Sequence, residues 1–311
     1  MKARFAPSPS GRMHLGNIFT ALMSWLSAKS QGGTWLLRIE DLDPQRSKAE
    51  YAYLIEDDLL WLGLEWDEGG LENIGPAGPY SQSLRSGFYT EALAALQSSG
   101  STFPCYCTRA EIMATQAPHQ SDGRIVYPGT CRHLTGHPAR RHSTRLMVAD
   151  EDIDFTDLIA GPQSFNLARE CGDFILQRAD GAWAYQLAVV VDDAAMGVTE
   201  VMRGNDLLLS AAQQIRLYRQ LGLTPPRFAH LPLICNSSGQ RLSKRDASLS
   251  METLRRIHSP ASLTGILGYL GGLLPEPHPL SPADLIPRFS LSPLKERDTI
   301  IVTDDAISPA I

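Results

Sequence analysis

The first forty residues switch between two hydrophobic periods. Residues 2–6 form a short apolar-leaning run that predicts a strand. From Leu15 to Lys29, apolar residues recur at Leu15, Ile18, Phe19, Leu22, Met23 and Leu26, the i, i+3, i+4 stripe of a helix lying on a sheet. Gly32 and Gly33 end that pattern, and "TWLLRIE" (34–40) reads as a strand buried on both faces. Strand, helix and strand in so short a span predict a βαβ unit, hence parallel strands and a right-handed crossover. A second such unit is expected late in the chain, from "LAVVVDD" (187–193) through "VTEVMRG" (198–204) to a helix from about Asp206 to Leu221.

Between these units the pattern changes. Roughly residues 100–185 bring proline, glycine, clustered cysteines and an abrupt change of charge, which reads as an insertion into a nucleotide-binding fold. After "TPPRFAH" (224–230) the periodicity is that of short helices, and "TDDAISPAI" (303–311) reads as a frayed end. The expected fold class is therefore α/β, a Rossmann-type parallel sheet with an insertion and a small helical C-terminal region. The expected division is 1–99 and 185–230 for the two halves of the sheet domain, 100–184 for the insertion and 231–311 for the remainder.

Composition narrows the picture in three ways. With 28 Lys and Arg against 34 Asp and Glu, the formal net charge is −6, which argues against a globally basic nucleic-acid binder. A local basic face remains possible: residues 132–145, "RHLTGHPARRHSTR", carry arginine and histidine without an acid, and "DEDIDFTD" (150–157) follows. Five cysteines, with only Cys105, Cys107 and Cys131 close in sequence, suit a reducing compartment better than a disulfide framework. The N-terminus lacks the apolar core of a signal peptide, and the longest apolar run (263–274) is short and glycine-broken. A soluble, cytoplasmic protein without a membrane span is expected.

Three stretches carry candidate chemistry. "FAPSPSGRMHLGN" (5–17) fills the turn between the first strand and the first helix. In parallel sheets, ligands bind at the carboxyl ends of strands, and a helix N-terminus attracts phosphate. His14 can donate to phosphate oxygens, and Gly16 leaves room where any Cβ would intrude. "HLGN" alone reads rather as part of a proline-rich loop with a surface histidine. "GQRLSKRDAS" (239–248) places Arg241, Lys244 and Arg245 around Ser243, cations that could follow charge developing on a phosphate, or a solvated basic loop. "RIEDLDPQR" (38–46) ends a strand in Glu40, Asp41 and Asp43; its bland alternative is a turn before a helix capped by Ser47.

Taken together with "WLGLEWDEGG", "GPYSQSLR", "YQLAVVVDD" and "VMRGNDLL", these blocks occur in the order seen in glutamyl-tRNA synthetases. The chain resembles those class I aminoacyl-tRNA synthetases over about residues 3–250, with "HLGN" and "RLSKR" standing where the class carries its HIGH and KMSKS motifs. The Cys-x-Cys block, and the end of the sequence soon after the KMSKS-like loop with no anticodon-binding domain, most resemble the glutamyl-Q tRNA(Asp) synthetase family. Members of that family activate L-glutamate with ATP and attach it to queuosine in the anticodon of tRNA(Asp). Two rival readings are a shortened synthetase that charges tRNA(Glu) and a non-catalytic paralogue that binds RNA or an amino acid.

The resemblance implies roles. Arg4, Ala6, Ser8, Glu40, Tyr185 and Arg203 would form the glutamate pocket, with Glu40 on the substrate ammonium. His14, Gly16 and Asn17 would meet ATP, its Mg2+ accompanying it, and Arg241 and Lys244 would close on the phosphates, His14 and Lys244 being the catalytic pair. Such a site is chemically sensible, since a guanidinium grips a carboxylate with two hydrogen bonds. Arg241 replaces the usual first lysine of KMSKS, and Val189 stands where full-length glutamyl-tRNA synthetases often carry asparagine. For the cysteines, a structural zinc is expected, bracing a segment too small for its own core. Cys105, Cys107 and Cys131 give three ligands; the resemblance names Tyr127 as the fourth, whereas ligand chemistry alone prefers His133. Cys171 and Cys235 read as ordinary buried cysteines.

Overall fold

The computed structural model describes residues 1–114, 126–134, 136, 138–240, 249–295 and 297–302. Arg241, Ser243, Lys244, Arg245 and the 303–311 segment lie outside the described residues.

The first forty residues fold as their periodicity predicts. Strand β1 (Lys2–Phe5) leads through the proline-rich turn into α1 (Leu15–Ser30), and β2 (Thr34–Leu37) follows. Gly32, with φ of 60°, supplies the left-handed step that lets the chain reverse after α1. Next come α2 (Ala49–Leu62), the two-residue β3 (Glu68–Gly69) and α3 (Ser86–Ser98). Lys48, not Ser47, is the N-cap of α2, and it makes no side-chain capping bond.

The middle of the chain builds two small antiparallel sheets. One joins β4 (Thr102–Cys105), β5 (Ser143–Leu146) and β8 (Phe174–Gln177); α4 (Arg109–Ala114) lies between β4 and β5 in sequence. The other is a hairpin of β6 (Asp152–Asp157) and β7 (Gly161–Asn166), followed by the short α5 (Leu167–Glu170).

The chain then returns through α6 (Tyr185–Ala195), β9 (Glu200–Gly204), α7 (Leu208–Gln220) and β10 (Arg227–Leu231). Here the sequence reading needs correction. "LAVVVDD" is the body of α6 rather than a strand, and the late unit of strand, helix and strand is β9–α7–β10. The valines Val189, Val190 and Val191 are all buried, and burial around the whole helix erased the one-sided stripe that marks a helix. Strand β11 (Leu233–Cys235), helices α8 (Met251–Ile257), α9 (Pro260–Leu270) and α10 (Pro282–Leu285), and β12 (Thr299–Ile301), which pairs with β11, complete the described chain.

Strands β10, β9, β1, β2 and β3 form one five-stranded sheet in that order, every neighbour parallel. Alternate residues point to opposite faces, and both faces are covered. Ala3, Phe5, Met202 and Ala229 pack with α1 and α9, while Val201 and Phe228 pack with α6 and α7. Because β9 and β1 are adjacent in the sheet but distant in sequence, the connections diverge between them. That switch point opens a crevice beyond the carboxyl ends of β1 and β9. No helix among the described residues is long and apolar enough to cross a membrane.

Candidate active site

The crevice is a cavity of about 510 Å³ lined by residues from β1, the following turn, the start of α1, the ends of β2 and β9, and the start of β11. Arg4, Ala6, Ser8, His14, Gly16, Asn17, Glu40, Tyr185 and Arg203 all line it. Every site residue expected from sequence for amino acid or nucleotide therefore meets in one place, apart from Arg241 and Lys244 outside the described residues.

The turn before α1 presents a capped helix end. His14 is the N-cap: its Nδ1 accepts the Gly16 N–H at 3.1 Å, and Asn17 Oδ1 accepts the His14 N–H at 3.1 Å. A Cβ on Gly16 would sit 3.1 Å from His14 Cε1, so the glycine first accommodates the imidazole, rather than a ligand. Arg12 is tied down by Asp58, with its Nη2 donating to Oδ1 at 2.6 Å, and Arg255 of α8 reaches the same oxygen at 2.8 Å. The loop is thus braced against α2 and α8.

Beneath the cavity lies a buried ion network. Arg38 Nη1 donates to Asp193 Oδ1 at 2.6 Å and its Nη2 to Glu40 at 3.1 Å. Arg4 reaches Asp193 at 3.3 and 3.5 Å, a longer and weaker pairing. Asp192 is held by Arg85, Gln82 and Tyr89. Burial opposes ionisation of Asp193, but Arg38 and Arg4 outweigh it and hold the carboxyl below its usual range. For Glu40 burial wins over Arg38 and Arg4, and its pKa is raised.

Arg203 is different. It is 4% exposed, and its four hydrogen bonds go only to uncharged acceptors: His230 Nε2 (3.1 Å), Gln214 Oε1 (2.8 Å), Tyr185 Oη (3.3 Å) and the Leu207 carbonyl (3.3 Å). It forms no ion pair among the described residues. Burial, its main perturbation, lowers its pKa, and Arg4 adds repulsion. Two cations therefore converge on the cavity, one with a shared carboxylate and one with none. Such an arrangement is costly in isolation and favourable once an anion enters.

A second cluster lies apart from the cavity. The sulfurs of Cys105, Cys107 and Cys131 all lie within 4.8 Å of one another, with Cys107 and Cys131 at 3.6 Å. Tetrahedral zinc with sulfur at about 2.3 Å needs sulfurs about 3.8 Å apart, so the donor set fits. The Tyr127 hydroxyl lies 3.4 Å from Cys105 Sγ and accepts the Cys131 N–H at 2.8 Å, whereas His133 is exposed and outside the group. Burial first, then the neighbouring sulfurs, push the Cys107 thiol up to about 11, a protonated state that a cation would reverse. Cys235 is buried as expected; Cys171 is only partly so.

The basic stretch 132–145 is partly structural. Arg132 pairs with Asp173 at 2.9 Å, Arg140 donates to the Tyr106 carbonyl at 3.2 Å, and Arg145 is buried, donating to the Asp173 carbonyl at 2.7 Å. Sequence reasoning also missed Asp193, Asp157, His230 and Gln214. The only signal for the first was a pair of acids closing an apolar run.

Comparison with known proteins agrees with this geometry. Residues 1–266 match the family model of class I tRNA synthetases (E and Q), catalytic domain. A glutamyl-Q tRNA(Asp) synthetase of Symbiobacterium thermophilum is 51% identical over 93% of this chain and 92% of that protein. The chain belongs to this family. Its relative from Nitratidesulfovibrio vulgaris, of the same name, is 45% identical over 98% of this chain and 96% of its own. Among solved structures, a glutamate tRNA ligase of Elizabethkingia meningosepticum, in complex with its amino acid, superposes with a TM-score of 0.85 at 27% identity. It is matched over 99% of this chain and 68% of that one.

Proposed function

We propose that the protein activates L-glutamate with ATP, without tRNA, and transfers the glutamyl group to queuosine in the anticodon of tRNA(Asp). The observation that carries the amino-acid side of this reading is Arg203, a buried guanidinium without a carboxylate partner among the described residues, facing the same cavity as Arg4 and Glu40. Arg203, Arg4 and Tyr185 would take the substrate's side-chain carboxylate, and Glu40 its ammonium group. Ala6 and Ser8 would bound the pocket. The N-terminus of α1, with His14, Gly16 and Asn17, faces the same cavity and would hold ATP, accompanied by Mg2+. Arg241 and Lys244 would complete the phosphate site.

In the first step an oxygen of the substrate's α-carboxylate attacks the α-phosphorus of ATP, and pyrophosphate leaves. In the second, a hydroxyl of the acceptor attacks the carbonyl of the mixed anhydride, and AMP leaves. The chain's contribution is orientation and neutralisation of charge. The tRNA(Asp) acceptor is supported by the names of the relatives that are 45–51% identical over nearly the whole length of both chains. A second reading, charging of tRNA(Glu), draws on a "Glutamate--tRNA ligase 2" of Alkalilimnicola ehrlichii, 43% identical but matched over 58% of its own length.

We also infer that Cys105, Cys107 and Cys131, with Tyr127 as fourth ligand, hold one structural zinc that braces the 100–184 insertion. The activation step is tested by glutamate-dependent exchange of labelled pyrophosphate into ATP without tRNA. Exchange with glutamate supports the reading, and its absence with active enzyme preparations overturns it.

A further inference from the structure

Arg203 has no carboxylate of its own among the described residues, yet its guanidinium is held from behind by an ordered pair. His230 and Arg203 are register partners on β10 and β9, so their side chains leave the sheet on the same face. Arg203 Nε donates to His230 Nε2 at 3.1 Å, and His230 Nδ1 meets Asp157 Oδ2 at 2.6 Å. With the Nδ1 proton directed at a carboxylate, Nε2 remains an acceptor; the neutral tautomer follows from the two partners. Asp157 is itself fixed, because its Oδ1 accepts the backbone N–H groups of Ile159 and Ala160 at 2.9 Å and of His230 at 3.1 Å. Asp157 and His230 are 2% and 1% exposed, and neither lines the cavity.

The intervening imidazole has a chemical consequence. A carboxylate placed directly on Arg203 would neutralise the guanidinium and occupy the edge that an incoming carboxylate needs. A neutral imidazole fixes Nε while leaving the charge available, and Asp157 fixes the imidazole. Asp157 also closes β6, whose hairpin with β7 meets β10 again through the Leu158 N–H to the Phe228 carbonyl at 2.8 Å.

We propose that Asp157 and His230 are positioning residues for substrate recognition: they orient Arg203 toward the substrate carboxylate and tie that orientation to the β6–β7 hairpin. This rests on the reading of Arg203 as the carboxylate-binding cation.

The test is tRNA-free pyrophosphate exchange by the full chain, with glutamate and ATP varied separately. His230→Phe keeps the ring volume but removes both hydrogen bonds; it should raise the glutamate KM about 10- to 100-fold and leave the ATP KM within about twofold. His230→Gln, whose Oε1 can accept from Arg203, should recover part of the loss, and Asp157→Asn should raise the glutamate KM by about 3- to 10-fold. An unchanged glutamate KM in His230→Phe overturns the proposal. So does a parallel rise in both KM values that His230→Gln does not relieve. If His230→Phe does not fold, Asp157→Asn decides on the same criterion. Arg203→Ala with an unchanged glutamate KM would instead remove the reading on which the proposal rests.

Discussion

Arg38 and Asp193 form a fully buried ion pair of 2.6 Å that joins the end of β2 to α6. Arg4 leans on the same carboxylate at 3.3 Å. Two basic groups from different elements, Arg38 and Arg4, thus depend on one side chain. Replacing it with asparagine removes the anion nearest to Arg38, which keeps Glu40 at 3.1 Å, and the only ion-pair partner of Arg4 among the described residues. Asp193→Asn should lower unfolding free energy by about 3–5 kcal/mol, read as a lower urea midpoint. A midpoint within error of the parent would mean that water or Glu40 already compensates Arg38.

The cation that lacks a carboxylate should set amino-acid choice. A neutral amide in place of the substrate carboxylate leaves Arg203 uncompensated. Pyrophosphate exchange with glutamine should therefore be slower than with glutamate by about 10⁴-fold in kcat/KM. Equal rates would show that the cavity does not read the side-chain charge.

The parts legible in the sequence were those set by local pattern. The periodicity from Leu15 to Leu26 gave α1 to within a residue at its C-terminal end, and Gly32 marked its stop. The αβ class and the clustering of Arg4, Glu40 and Arg203 at strand ends followed from motif order. What stayed illegible was tertiary. Three adjacent valines read as a strand by propensity, whereas residues 185–195 form a helix whose unbroken buried run, 187–193, left no polar face to show it. His230 and Asp157 lie in unrelated stretches, and only the register of β9 with β10 and the end of β6 bring them to Arg203. The structural bonds made by part of the basic stretch 132–145 were illegible for a similar reason. Its partners Asp173 and Tyr106 are distant in the pattern and adjacent in space.

The sulfur cluster predicts a metal content. Protein purified without chelators should carry about one zinc per chain by elemental analysis. Cys105→Ser should lose it and lower the thermal midpoint. Full zinc occupancy in Cys105→Ser, or no zinc in the parent, would contradict the assignment.

Stability should depend on pH through His230. Burial disfavours its imidazolium most, and Arg203 adds to this against the pull of Asp157 and the Leu207 carbonyl, so its native pKa is lowered. In the unfolded chain it protonates near its ordinary value of about 6.5. The unfolded state therefore takes up the proton first, and native stability falls as pH drops through about 6.5. Asp157 acts in the same direction at lower pH: burial raises its pKa, but the His230 imidazole and backbone N–H groups outweigh that and hold it below the usual range. The fall in urea midpoint between pH 7.5 and 5.5 should be smaller in His230→Phe than in the parent. Identical falls would show that His230 titrates normally in the native state.

The most direct test of the central claim is the identity of the acceptor. Labelled glutamate and ATP are supplied with queuosine-containing tRNA(Asp), with tRNA(Asp) lacking queuosine, and with tRNA(Glu), each before and after enzymatic removal of the 3′ adenosine. An unpaired anticodon base is accessible to a pocket in a way that a stacked base is not. Label is expected on queuosine-containing tRNA(Asp) alone, undiminished by trimming. Label on tRNA(Glu), or loss of label from tRNA(Asp) after trimming, would place the glutamyl group on the terminal ribose and contradict it.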